Sequence, residues 1–134
     1  MTTKIIIDAT DGILGRIAGF AAKQSLLGKS VVIVNCNEVL ITGDPRTTIN
    51  AYKAKISRGG SAQKGPYFPK TPERIMKRTT RGMLSHKQGR GSDALKRVIC
   101  YNSVPEEFKD AEKISMKREL KGKAIKLSKL SKEL

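Results

Sequence analysis

Four basic residues recur at helical spacing in the middle of the chain. They stand at i, i+3, i+4 and i+7, on one face of a helix, and are Arg74, Lys77, Arg78 and Arg81. Like charges at these spacings repel each other, and only Glu73 supplies a counter-charge nearby. Guanidinium and ammonium groups bind phosphate oxygens through charge-assisted hydrogen bonds. The spacing therefore predicts a phosphate-binding helix face rather than a solvated face with alternating charges.

Further cations and glycines flank this helix in segments that read as loops. Glycine allows a backbone to approach a sugar-phosphate chain closely. The other candidate nucleic-acid-binding residues are Arg58, Lys64, Lys70, Gly82, His86, Lys87, Arg90, Gly91, Lys96 and Arg97. We expect replacement of Arg78 and Arg81 by Glu to remove this binding while leaving the fold intact.

The positive charge is concentrated in one part of the 134-residue chain, which carries a formal net charge of +15. Residues 53–97 hold 13 of the 27 Lys and Arg but only 2 of the 12 Asp and Glu, whereas residues 1–52 are nearly neutral. Such a distribution favours a polyanionic partner, most simply nucleic acid. Aromatic residues are only 4% of the chain, which argues against single strands held by base stacking. Irregular basic loops instead suit folded RNA, which is recognised by shape.

The N-terminal residues predict the fold that carries this basic segment. Lys4–Ala9 and Val31–Val34 are rich in β-branched residues, as is typical of strands buried on both faces. Between them, apolar residues in Leu14–Leu27 recur at helical spacing, and Gly28 is suited to end that helix. A strand, a helix and a strand of these lengths predict a parallel βαβ unit with a right-handed crossover.

Capping residues and prolines indicate where the helices begin. Either Thr10 or Asp11 is expected to cap the first helix, and Asp44–Pro45 opens a second. Thr71–Pro72 opens the helix that carries the basic face, and a short helix is expected to begin at Ser92–Asp93. Strands at 38–42 and 98–101 complete an α/β fold around a mostly parallel sheet of about four strands.

The length suits one domain. We predict an α/β domain over residues 1–108 that contains the basic segment 53–97. Residues 109–134 are rich in Lys and Glu and are expected to form a C-terminal tail or peripheral helix.

Residues that could support catalysis or hold a metal are scarce. His86 is the only histidine, and Cys36 and Cys100 lack the close Cys partners of a zinc site. Glycines after the first strand follow G-x-x-G-x-x-x-G, which differs from the G-x-G-x-x-G of dinucleotide-binding turns. We therefore predict no catalytic residue, no metal and no cofactor.

The same residues bear on where the protein acts. No apolar run approaches the ~20 residues that span a bilayer, and the N-terminus lacks the features of a signal peptide. Two cysteines far apart in the sequence are typical of a reducing compartment. We expect a cytoplasmic protein with no membrane partner and no small-molecule substrate.

The basic segment resembles a known family. Its most specific block is Arg81–Lys87, which reads RGMLSHK, and further agreement is found at Arg90–Gly91, Ala94–Val98, Tyr101 and Pro105. The N-terminal part agrees at Ile7–Ala9, Leu14–Ala18, Val34–Asn35 and Gly43. Over about residues 4–108 the chain resembles the large-subunit ribosomal protein L-thirteen family, in its archaeal and eukaryotic branch. It departs from the usual pattern at Ser85 and at Asn102–Ser103.

The resemblance implies a three-layer α/β/α sandwich that binds large-subunit rRNA, contacts neighbouring large-subunit proteins and supports assembly of the subunit. Some members of the family also bind mRNA and repress translation, so the resemblance allows this additional role. Two other classes remain as alternatives from the residues alone, namely a small nucleotide-binding α/β enzyme and an architectural nucleic-acid-binding protein.

Overall fold

A computed structural model describes residues 4–57, 69–119 and 122–134. Within these ranges the chain forms six strands and five helices, with two short 3-10 turns at Cys36–Glu38 and Glu106–Phe108. In chain order the elements are β1 (Lys4–Asp8), α1 (Leu14–Leu26), β2 (Ser30–Val34), β3 (Leu40–Thr42), α2 (Pro45–Ser57), α3 (Pro72–Gly82), α4 (Gly89–Lys96), β4 (Val98–Cys100), β5 (Ile114–Ser115), β6 (Ala124–Lys126) and α5 (Leu127–Glu133).

The main sheet has four strands in the order β4-β2-β1-β5, and every pairing in it is parallel. β1 and β2 pair along their whole length, as the βαβ pattern predicts. Alternate side chains point to opposite faces, so Ile7 and Ile33 enter one core while Ile6 and Val32 enter another. Both central strands are therefore buried on two sides, which is why their sequences are continuously apolar.

The helices pack on one face of this sheet. Ile17 of α1, Met76 of α3 and Leu127 of α5 join the Ile7–Ile33 core. The opposite face is covered by residues 101–111, where Phe108 and its 3-10 turn pack on Ile6. The predicted α/β fold with a mostly parallel four-strand sheet is confirmed.

The turn after β1 differs from the predicted capping. α1 begins after Ile13, whose backbone is extended, and no side chain of Thr10 or Asp11 caps the helix. Asp11 instead adopts a left-handed φ of 56°, and the Thr10 hydroxyl donates a hydrogen bond to Asp8. The prediction of a capped α1 is wrong because these residues are used to build the turn. The expected helix end is confirmed, since Gly28 has a φ of +95°.

The Asp8 carboxylate joins the ends of β1 and β2. Its Oδ1 accepts hydrogen bonds from the Thr10 N–H and hydroxyl and from Asn35 Nδ2 at 3.0 Å. Partial burial opposes ionisation of Asp8, but the hydrogen bonds from Asn35 and Thr10 together outweigh it, so the pKa of Asp8 is lowered. The bond also supports Asn35, which adopts a left-handed φ of 61° that asparagine tolerates better than most side chains.

We expect Asp8→Asn to lower the free energy of unfolding at pH 7 by about 1 kcal/mol, because a neutral amide is a weaker acceptor than a carboxylate. A lowered folded-state pKa contributes stability that is fully present above the unfolded-state pKa of about 4 and is lost as the pH falls through the lower folded-state pKa. Urea titrations between pH 2 and 7 should therefore show the two proteins converging at the acid end. A difference that stays constant over this range would contradict the role given to the ionised carboxylate.

β3 does not belong to the main sheet, which corrects the predicted strand at 38–42. The 3-10 turn at Cys36–Glu38 redirects the chain after β2, and the strand that follows is only Leu40–Thr42. β3 pairs antiparallel with β6, with Ile41 opposite Ile125. A partner more than 80 residues away cannot be identified from the local pattern of β3, which is why the sequence placed it in the wrong sheet.

Residues of the predicted C-terminal segment take part in the core. Leu127 and Leu130 of α5 are fully buried in the Ile7–Ile33 core, and β5 forms one edge of the main sheet. The C-terminal helix is thus present, and its apolar side is packed against the protein. The division of the chain at residue 108 stays a prediction.

Candidate nucleic-acid interface

α3 is the element that presents the basic face, and its start is fixed by three residues. Thr71 has the extended backbone of an N-cap residue and Pro72 occupies the first turn, as predicted. The Thr71 side chain makes no capping hydrogen bond. Asn102 Oδ1 accepts from the Glu73 N–H at 3.1 Å instead, so the cap comes from the segment after β4.

Burial orients α3 on the sheet. Ile75, Met76 and Thr80 are buried against the core, and the Thr80 hydroxyl donates to the Met76 carbonyl within the helix. The basic residues consequently lie toward the other side of the helix. A depression of about 220 Å³ is lined by Pro69, Arg74, Lys77, Arg78 and Arg81. The structure therefore brings all four predicted residues of the face together, and we call this the α3 cationic surface.

Lys77 differs from its neighbours on this surface. Its Nζ donates to the carbonyl oxygen of Leu95 at 2.9 Å and to that of Val98, which connects α3 to the turn between α4 and β4. Partial burial lowers the pKa of the Lys77 ammonium, and the Cys100 sulfur acts in the opposite direction. The donors of Lys77 are directed to backbone acceptors inside the protein, which favours a structural role, and its assignment to phosphate binding stays a prediction.

We expect Lys77→Met to lower the free energy of unfolding by about 2 kcal/mol, because two carbonyl groups lose their donor in a partly buried position. Thermal or urea denaturation measures the effect. The matched control is Lys96→Met, since Lys96 is exposed on α4 and loses the same charge. Equal destabilisation by the two substitutions would show that the Lys77 hydrogen bonds contribute nothing.

Arg97 also has an internal role. Its Nη1 donates to the Ser25 carbonyl at 2.8 Å, across 72 residues of sequence. At the end of α4 the Arg97 N–H donates to the Ala94 carbonyl, and the Arg97 carbonyl accepts from the N–H of Val31 in β2. Arg97 therefore joins the end of α1 to the edge of the sheet, and this contact competes with the predicted phosphate contact.

A second group of cations lies beyond α3. α4 begins at Gly89, three residues before the predicted start at Ser92, because the turn at residues 85–88 already leads into it. Arg90 and Lys96 therefore belong to a helix rather than to loops, and both are exposed, as is Lys87. We call these three residues the α4 cationic group.

Four further candidate side chains were predicted to bind RNA, and two of them lie within the described residues. Lys70 is exposed just before α3, and His86 is partly buried in the turn that precedes α4. Arg58 and Lys64 lie outside the described residues. Assignment of these side chains to RNA stays a prediction.

The structure explains the presence of glycine differently at the two candidate positions, Gly91 and Gly82. A Cβ on Gly91 would lie 2.0 Å from the carbonyl oxygen of Ser85, so internal packing requires glycine there. Gly91 is buried, so internal packing already accounts for the glycine, and its contact with a sugar-phosphate backbone stays a prediction. Gly82 is exposed and a Cβ on it would meet no atom within 4 Å, which leaves room for a ligand.

The turn after β1, where a nucleotide would sit in the enzyme alternative, is filled by the protein itself. A Cβ on Gly12 would lie 2.5 Å from the Ile17 side chain, and the Gly12 carbonyl accepts from Leu40. Backbone N–H groups of Met116 and Arg118 bond to the carbonyls of Asp8 and Asp11. These contacts fill the turn with atoms of the protein itself, which argues against the nucleotide-binding alternative.

Within 4–57, 69–119 and 122–134, no cluster of three His, Cys, Asp or Glu residues is arranged to hold a metal ion. No helix in the described part of the chain is long and apolar enough to cross a membrane.

The fold and its charges define a small α/β protein with one concentrated cationic side. The sequence profile of ribosomal protein L13 matches residues 2–107, and the chain belongs to this family. The family is one of ribosomal proteins and is not an enzyme family. The resemblance carried by the RGMLSHK block is confirmed.

Relatives from archaea agree with this assignment, and each carries the name large ribosomal subunit protein uL13. The Archaeoglobus fulgidus protein is 49% identical over 107 residues, which cover 80% of this chain and 68% of that relative. The Methanosarcina barkeri protein is 48% identical over 112 residues, covering 83% and 79%. For the Thermoplasma volcanium protein the identity is 42% over 134 residues, with 96% of each chain covered.

Proposed function

We propose that this protein is a structural constituent of the large ribosomal subunit that binds large-subunit rRNA and supports assembly of the subunit in the cytoplasm. The observation that carries the proposal is the α3 cationic surface on a chain of this family. Arg74, Arg78 and Arg81 line one depression, and the exposed α4 cationic group follows them in the sequence.

Charge density supports a polymeric anion as the ligand. Glu73 and Asp93 are the two acids among residues 53–97, and Glu73 Oε2 is buried rather than turned to the surface cations. Like charges at helical spacing repel each other, and an anion that lies against them reduces this repulsion. Several phosphates of one RNA backbone reduce it along the whole surface, whereas a single small anion acts on only part of the surface.

Folded RNA fits this surface better than duplex DNA. The cations are distributed over α3, α4 and the turn between them, and none of the described elements has the arrangement of a helix-turn-helix or a zinc finger. A-form RNA is recognised mainly by shape and through phosphate and ribose contacts. We also propose neighbouring large-subunit proteins as partners. Binding of mRNA by the same surface is proposed as an additional role.

Filter binding at 50 to 300 mM KCl tests this function with three ligands, namely a large-subunit rRNA fragment, random duplex DNA of equal length, and ATP. We expect the affinity for rRNA to fall steeply with salt and to exceed the affinity for DNA at every concentration. Equal affinity for DNA and rRNA would indicate an architectural nucleic-acid binder. Tight, salt-independent binding of ATP would indicate the enzyme alternative.

A further inference from the structure

The two cysteines, far apart in the sequence, are neighbours in the structure. Cys36 follows β2, and Cys100 is the last residue of β4. The Cys36 N–H donates to the Tyr101 carbonyl at 3.1 Å, and Ile33 of β2 pairs with Cys100 in the sheet. A hydrogen bond with the Cys100 thiol is the largest of the causes that raise the pKa of Cys36. The backbone register thus places the two cysteines beside each other at the ends of neighbouring strands.

The surroundings of the two thiols differ. Cys36 is fully buried, and both Cys100 and burial keep its thiol protonated. Cys100 is only partly buried, so an oxidant in solvent can reach its sulfur. The exposure of a thiol is one of the features that determine where oxidation begins. An oxidant from solvent is therefore expected to react first at Cys100.

We propose that Cys100 and Cys36 form a two-cysteine oxidation site, in which a peroxide oxidises Cys100 and Cys36 closes a disulfide. Hydrogen peroxide transfers one oxygen to the Cys100 sulfur, giving a sulfenic acid and one water. The Cys36 sulfur then attacks the Cys100 sulfur. The S–O bond breaks, and the departing hydroxide takes the Cys36 proton to form a second water. Two thiols thereby lose two hydrogens and two electrons to one peroxide.

The disulfide would close a loop that contains the basic segment 53–97. Residues 37–99 lie between the cysteines and include α3 and α4, so the cross-link closes a long loop in the unfolded chain. Cross-links over long loops stabilise mainly by constraining the unfolded state. β2 and β4 are already hydrogen-bonded neighbours, so the folded backbone needs little change. We expect the melting temperature to rise by roughly 10 °C on oxidation.

The test treats the folded full chain with equimolar hydrogen peroxide and follows intact mass and tryptic peptides. We expect the monomer mass to fall by about 2 Da, with a peptide linking Cys36 to Cys100 and a higher melting temperature. In Cys36→Ala, sulfenic acid should accumulate on Cys100 and be trapped by dimedone. Cys100→Ala should remain largely unmodified, because its remaining thiol is buried.

Three results would overturn the proposal. The first is sulfinic acid on Cys100 of the wild-type protein without a cross-link. The second is equal dimedone labelling of the two alanine variants. The third uses only the wild-type protein, so it holds even if a variant fails to fold. If the wild-type protein cross-links as much in 6 M guanidinium as in buffer, the folded geometry plays no part.

Discussion

The double variant Arg74→Glu, Arg81→Glu is expected to bind large-subunit rRNA at least about 100-fold more weakly at 150 mM salt, because two phosphate contacts are lost and two repulsive charges are added. Arg74 is exposed and Arg81 is partly exposed, and both line the depression together with Arg78. The apolar contacts of α3 are made by other residues, so the melting temperature should change little. Sucrose-gradient sedimentation should find the variant largely absent from large subunits.

The matched control is Arg46→Glu, Lys53→Glu on α2. These two positions are also seven residues apart, both are exposed, and the net charge changes by the same amount. We expect this control to retain most of its affinity. If both double variants lose affinity equally, total charge rather than the α3 cationic surface determines binding.

The second large effect is expected on stability. Gly91→Ala should lower the free energy of unfolding by about 3 kcal/mol, because its Cβ would overlap backbone atoms that cannot move independently. The Cβ would lie 2.0 Å from the Ser85 oxygen and 2.3 Å from the Ser85 carbonyl carbon. The same Ser85 oxygen accepts the Gln88 N–H at 2.9 Å, so relief of the overlap disrupts the turn. Urea denaturation measures the loss.

Gly82→Ala is the control for the glycine effect. Its Cβ would meet no atom within 4 Å, and the residue ends a helix. Alanine there should leave stability unchanged or raise it by up to about 1 kcal/mol. A lower affinity for rRNA in this variant, without loss of stability, would support close approach of RNA at Gly82. Destabilisation of Gly91→Ala no greater than that of Gly82→Ala would contradict the packing argument.

Local patterns were enough to predict the elements whose stabilising contacts are themselves local or repetitive. The β-branched runs of β1 and β2 alternate into two cores, and α1 lies between them with its apolar residues at helical spacing. α3 was predictable for the same reason, because Thr71 and Pro72 define its start and the spacing of its arginines defines a face.

Contacts between distant segments were not predictable in this way. Lys77 has the same helical spacing as its arginine neighbours, and only the position of the α4–β4 turn shows that its ammonium points to carbonyl groups. Asn102 departs from the family pattern, which is visible in the sequence. Its function in capping α3 was not predictable, because it acts on Glu73, 29 residues away. β5 and β6 have two and three residues, too few for alternation to predict a strand.

Ultraviolet cross-linking of the protein within assembled large subunits, followed by mass spectrometry of the peptide–RNA adducts, tests the central claim most directly. The proposed interface predicts that the rRNA adducts map to peptides of α3 and to the segment from Lys87 to Lys96. Adducts confined to α2 or to residues 109–134, with α3 free of them, would contradict it.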